Sequence, residues 1–136
     1  MPVVVELIRT EEDGTLSFGN YTLAQKAKAE DFASGGDLYK VKTYREITKL
    51  ERNGAFAFES VPGTAVEHFK ASQSGIAFSV EGFEDSQITL GLEEDSRYQV
   101  VIEGEEMGIM ETNLSGKLVL SVELGERSVH VSVRKV

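Results

Sequence analysis

The chain has no cysteine and no tryptophan, and only two histidines and two prolines among its 136 residues. Without cysteine there are no disulfides, thiolate zinc sites, iron–sulfur clusters or cysteine nucleophiles, so stability has to come from packing. The two histidines, His68 and His130, lie far apart in sequence. A cupin-type metal site is the sharpest enzymatic idea, because Pro62-Gly63 and His68 sit in a β-rich chain. Such sites draw on several histidines plus a carboxylate, and this chain is short of ligands. No G-x-S-x-G elbow and no phosphate-binding glycine loop is present, and Gly35-Gly36 precedes a strand pattern rather than a helix. No run approaches the roughly 20 apolar residues that a membrane-spanning helix needs. The opening segment, Met1 to Arg9, lacks the basic and apolar regions of a signal peptide, and a cytoplasmic location is expected.

What is present is a globular balance: 40% apolar residues, 27% charged residues and a formal charge of −9. The length suits one domain over residues 1–136. The negative charge repels phosphate backbones, so neither nucleic acid nor an anionic membrane is expected as the main partner. The charge is unevenly spread. Between Lys26 and Arg52 seven basic residues outnumber five acidic ones, which leaves the rest of the chain strongly acidic. That asymmetry fits either complementary patches for self-association or a solvated face.

The dominant pattern is period-two alternation interrupted by Gly, Asn, Asp and Ser, which predicts many short strands. It is clearest in the second half. Ile76, Phe78 and Val80 share one face; so do Ile88, Leu90 and Leu92, then Leu118, Leu120, Val122 and Leu124, and finally Val129, Val131 and Val133. His130 falls on the opposite face of its strand. Glu103-Gly104-Glu105-Glu106 reads as a hairpin turn and residues 113–116 as a second turn, because Asn and Gly tolerate positive φ.

In the first half, Val3 to Arg9 and Thr15 to Leu23 flank an Asp13-Gly14 hairpin signal, and Asn53-Gly54 joins Ile47–Arg52 to Ala55–Glu59. Phe56 and Phe58 share parity and are expected to face the core. Residues 24–31 read as extended, and Leu38 to Tyr44 as a strand. The one expected helix is short and follows Pro62-Gly63, where Thr64 and Glu67 have capping-box spacing and Val66 would meet Phe69. His68 would then be a surface residue of that helix. About ten strands exceed what one flat sheet accommodates, so the expected fold is all-β, a two-sheet antiparallel sandwich, with a jelly-roll-like barrel as the alternative.

Tyr98-Gln99-Val100, Gly104 and the stretch from Thr112 to Val122 resemble the closing strands of immunoglobulin-like and fibronectin-like modules of bacterial proteins, without the Cys-Trp-Cys core of antibody-type domains. The chain as a whole resembles a bacterial all-β family of no assigned activity. The resemblance implies a fold and no chemistry.

No catalytic, cofactor-binding or metal-ligating residue is assigned. The acidic stretches Glu93-Glu94-Asp95 and Glu103, Glu105, Glu106 lie at turns where carboxylates are solvated, and the oxygen-rich spacing of a calcium loop is missing. The expected function is a non-catalytic interaction or assembly domain, with itself or another protein as partner. The alternative is a small-ligand or carbohydrate-binding sandwich, in which Tyr39, Tyr44, Phe56, Phe58 and Phe83 would line a platform.

Overall fold

A computed structural model describes residues 3–136, apart from the side chain of Glu126; Met1 and Pro2 lie outside the described residues. It contains thirteen strands and, among the described residues, no helix. In chain order they are β1 (Ile8–Thr10), β2 (Leu16–Phe18), β3 (Ala27–Ser34), β4 (Asp37–Tyr44), β5 (Ile47–Arg52), β6 (Ala55–Val61), β7 (Ala65–Ser72), β8 (Gly75–Gly82), β9 (Ser86–Gly91), β10 (Arg97–Ile102), β11 (Glu105–Glu111), β12 (Lys117–Val122) and β13 (Gly125–Lys135). One sheet has seven strands in the order β1-β2-β7-β8-β13-β10-β11, the other six in the order β12-β9-β6-β5-β4-β3. All pairings are antiparallel and neither sheet closes on itself, so the fold is a β-sandwich. Among the described residues no helix is long and apolar enough to cross a membrane.

The alternation explains the stacking. Val41, Leu50, Phe58, Leu90 and Leu118 of the smaller sheet are buried against Phe18, Val66, Phe78, Val131 and Val100 of the larger. Phe58 is the junction: its ring meets Phe18 at 5.3 Å, Phe78 at 5.6 Å and Phe69 at 6.2 Å between centroids, all edge to face. Edge-to-face pairs each add about 0.5–1.5 kcal/mol beyond the area they bury.

At one end the filling turns polar. Thr48 Oγ1 meets Thr43 Oγ1 at 2.8 Å, donates to the Thr64 carbonyl at 2.8 Å and lies 3.1 Å from the Thr64 N–H. Ser60 Oγ reaches Thr64 Oγ1 at 2.7 Å, and the Asn20 N–H donates to Thr43 Oγ1. Among the described residues no buried side-chain nitrogen or oxygen lacks a partner. This end therefore avoids the penalty of buried, unpaired polar groups. Gly19 passes here with φ +99°, and a Cβ on it would collide with the Thr64 carbonyl. Nearby, the Tyr21 hydroxyl donates to Glu81 Oε2 at 2.8 Å with both residues buried. Burial, and then the Glu81 carboxylate, push the Tyr21 phenol far above its ordinary range.

Three expectations are corrected. The short helix after Pro62-Gly63 is instead strand β7. Val66 and Phe69 both face the core, as a helix would place them. They do so because the register with β8 slips between Glu67 and Lys70, where His68 adopts φ +54°. A bulge reproduced helical spacing. Phe56 does not face the core either: the pairing of β5 with β6 slips between Leu50 and Glu51, so Phe58 opposes Leu50 while Phe56 opposes outward-facing Glu51. The N-terminal strands are also shorter than expected, because Leu7 turns the chain at φ +75° and Gly19 ends β2.

The two phenylalanines make a direct test. Phe58→Ala is expected to lower the unfolding free energy by about 3–5 kcal/mol in denaturant titration, as for a buried aromatic. Phe56→Ala should lower it by about 1 kcal/mol or less. Equal losses would mean that the bulge is misplaced.

Candidate functional site

The residues weighed as chemical candidates are dispersed. His68 is exposed on its bulge, with Nδ1 3.0 Å from Thr15 Oγ1 and 3.3 Å from Asp13 Oδ2. His130 points outward from β13, its Nδ1 3.4 Å from Ser79 Oγ. One carboxylate of each acidic turn is engaged. Glu93 accepts from Lys135 Nζ at 2.5 Å, and Glu103 accepts the His130 N–H at 2.7 Å and Arg127 at 3.3 Å. Among the described residues no group of three or more His, Asp or Glu is placed to hold a metal ion.

The five aromatics of the carbohydrate alternative share no common face. Phe58 is core, Tyr39 packs against the core, Phe56 lies on the outside of the smaller sheet, and Phe83 is 66% exposed against the Tyr21 ring. Two depressions of similar volume are open grooves. One, of about 660 Å³, includes Tyr21, Arg45, Pro62 and Phe83. The other, of about 640 Å³, runs between the two sheets from Val122 and Val129 to Ile102 and Met107, with Glu103 and Arg127 at its edge.

The arrangement with the strongest physical signature is on the outer face of the smaller sheet. With Val41, Thr43, Thr48 and Leu50 buried inward, alternation turns Lys40, Lys42, Lys49 and Glu51 outward. Register then aligns them across strands: Lys28 of β3 opposes Lys42 of β4, which opposes Lys49 of β5. Lys40 lies one position along, 3.8 Å from Glu30, and Lys49 lies 3.9 Å from Glu51. Two aromatics belong to the same face. Lys26 Nζ is 5.9 Å from the Tyr44 ring centroid, and Phe56 lies beneath Lys117 at 4.7 Å and Lys49 at 5.9 Å. The Phe56 backbone also crowds Gly91, where a Cβ would collide with its carbonyl.

Like charges placed directly opposite on neighbouring strands are destabilising. Lys42 records this: repulsion from Lys26 comes first, then burial, then Lys49, Lys28 and Lys40, and together they hold its ammonium below the usual lysine range. Sequence reasoning registered the local excess of positive charge but not the row. The signal was the pair of period-two spacings, Lys26-x-Lys28 and Lys40-x-Lys42.

Fold and surface together define an antiparallel β-sandwich with one lysine-rich sheet face on an otherwise acidic chain. No family model, curated protein or solved structure matches it.

Lys42 gives a test with a decisive sign. Because its folded-state pKa is lowered, its charge opposes folding at neutral pH, and that penalty disappears as pH rises through the folded pKa. Lys42→Gln is therefore expected to raise the melting temperature at about 0.01 M salt, with the gain fading toward roughly 1 M as screening tightens. An argument from net charge alone predicts the opposite, since the variant is more negative still.

Proposed function

We propose that this protein is a non-catalytic interaction domain that docks an acidic protein surface on the lysine-bearing face of its smaller sheet. The observation behind this reading is the row Lys28, Lys42 and Lys49, aligned across three strands with Lys26 and Lys40 beside it. The arrangement opposes folding of the free protein and is relieved when carboxylates cover it. An electrostatic gain of this kind resides mainly in association rate and specificity. Carboxylates suit the face better than a nucleic acid backbone does. Glu30, Glu51 and Glu59 are interleaved with the lysines, and the chain carries −9 overall, whereas duplex DNA presents a phosphate charge about every 1.7 Å. Thr43 and Thr48 lie bonded beneath the same strands, so the lysines stand on a rigid backbone.

Titration with a labelled polyglutamate peptide tests the reading. Binding is expected at low ionic strength and should weaken steadily with salt. The double variant Lys28→Glu, Lys42→Glu should bind about tenfold or more weakly while melting no lower than the parent. No binding by the parent at low salt would overturn the proposal. Tighter binding of a single-stranded oligonucleotide than of polyglutamate would overturn the class of partner.

A further inference from the structure

The sandwich has four sheet edges, and three are blunted. β1 is three residues long. β3 is broken by a register slip between Ala29 and Phe32, with Asp31 at φ +56°. β11 slips against β10 between Val100 and Val101, contains Gly108 at φ +101°, and carries Glu105, Glu106 and Glu111. Shortness, bulges and charge are the ordinary devices that keep an edge from pairing. β12 has none of the first two: its six residues run in unbroken register with β9.

The backbone of β12 shows which groups are open. The Leu92 N–H donates to the Gly116 carbonyl at 2.7 Å, and the register aligns Leu118 with Leu90, Leu120 with Ile88 and Val122 with Ser86. Bonded and non-bonded pairs alternate along an antiparallel ladder. Leu118, Leu120 and Val122 therefore direct their amide groups to β9, while Lys117, Val119 and Ser121 direct theirs outward. Those of Lys117 are taken by the adjoining turn, through Asn113 Oδ1 at 2.9 Å and the Asn113 N–H at 3.1 Å. What remains is the N–H and C=O of Val119 and of Ser121. Among the described residues no hydrogen bond outside the ladder reaches them.

We propose that β12 pairs antiparallel with β12 of a second copy of this chain, about a twofold axis at Leu120. This register sets Val119 opposite the partner's Ser121, so every open amide group on both strands is bonded. Leu118 lies opposite the partner's Val122, which keeps the apolar side chains on the core side of both sheets. Lys117 lies opposite the partner's Glu123, and the symmetry repeats that opposite-charge pair at the other end. Centring the axis on Val119 instead would oppose Ser121 to Lys117, whose amide groups are already engaged, and would lose the charge match. Two exposed apolar side chains, Val119 at 46% and Leu114 at 84% in the turn leading into β12, sit beside the edge.

The pairing goes beyond the lysine-face reading and stands without it. Its consequence for that face is geometric. The axis runs perpendicular to the sheet at β12, so the two smaller sheets join into one, with the two Lys42 residues roughly 40 Å apart at the ordinary spacing of strands. Such a dimer engages a repeated acidic partner with avidity.

Sedimentation equilibrium on the full chain tests the proposal, with folding checked by circular dichroism. The parent is expected to dimerise. Lys117→Glu and Glu123→Lys should each weaken the dimer by about tenfold, because each places like charges across both ends, and the double swap should restore it. Val119→Pro removes an outward N–H without touching the β9 ladder, and is expected to give a folded monomer. A parent that stays monomeric up to about 1 mM overturns the inference. So does a dimer indifferent to the two single charge variants. Neither result decides whether a single copy binds polyglutamate, which is read from the Lys28, Lys42 and Lys49 row of β3 to β5.

Discussion

The Phe58 ring, carried near the middle of the smaller sheet, is enclosed by the edges of Phe18, Phe69 and Phe78 from the larger one. Four strands on two sheets are fixed by that contact. Burying each such side chain is worth about 1.5–3 kcal/mol, and a one-residue slip of any of these strands would turn its ring to solvent. Register throughout the molecule is therefore set from the inside. The bulges in β6 and β7 are the adjustments that let this happen. They turn Phe56 away and bring Phe69 in, so that the aromatic junction closes.

The outer surface follows as a consequence. Once Val41, Leu50, Thr43 and Thr48 face inward, the residues between them have no choice of side, and Lys42 comes to rest between Lys28 and Lys49. The magnitudes decide the outcome. Cross-strand charge repulsion at an exposed site amounts to some tenths of a kcal/mol per pair, several times less than the burial that fixes the register. The lysine row is thus a local conflict that the core overrides. Conflicts of this kind between local preference and global fold concentrate where a protein meets something else.

Much of this was legible in the sequence, and two of the three failures have a common cause. The strands from Ile76 onward, with Val129, Val131 and Val133 inward, follow from strict alternation, and the structure agrees. Asp13-Gly14 and Asn53-Gly54 form the turns their dipeptides suggest. Two of the three errors fall on Phe56 and on residues 64–69, where a bulge shifts parity by one; the third, the length of the N-terminal strands, lies at the turns of Leu7 and Gly19. A bulge carries no reliable residue signature when its extra residue is Ala57 or His68 rather than glycine. Its position is dictated by the partner strand, which lies elsewhere in the chain.

Composition and alternation by themselves determined that this is an all-β chain stabilised by packing, which side of most strands is apolar, and that its charge is uneven. Those properties are local: each depends on a residue and its near neighbours along the chain. Only the tertiary structure decided that three lysines from three strands share one row, that the smaller sheet ends on an unbroken β12, and that its open amide groups belong to Val119 and Ser121. Those are matters of register and sheet order. Both are fixed by contacts such as that of Phe58 with Phe18, between residues that the sequence holds far apart.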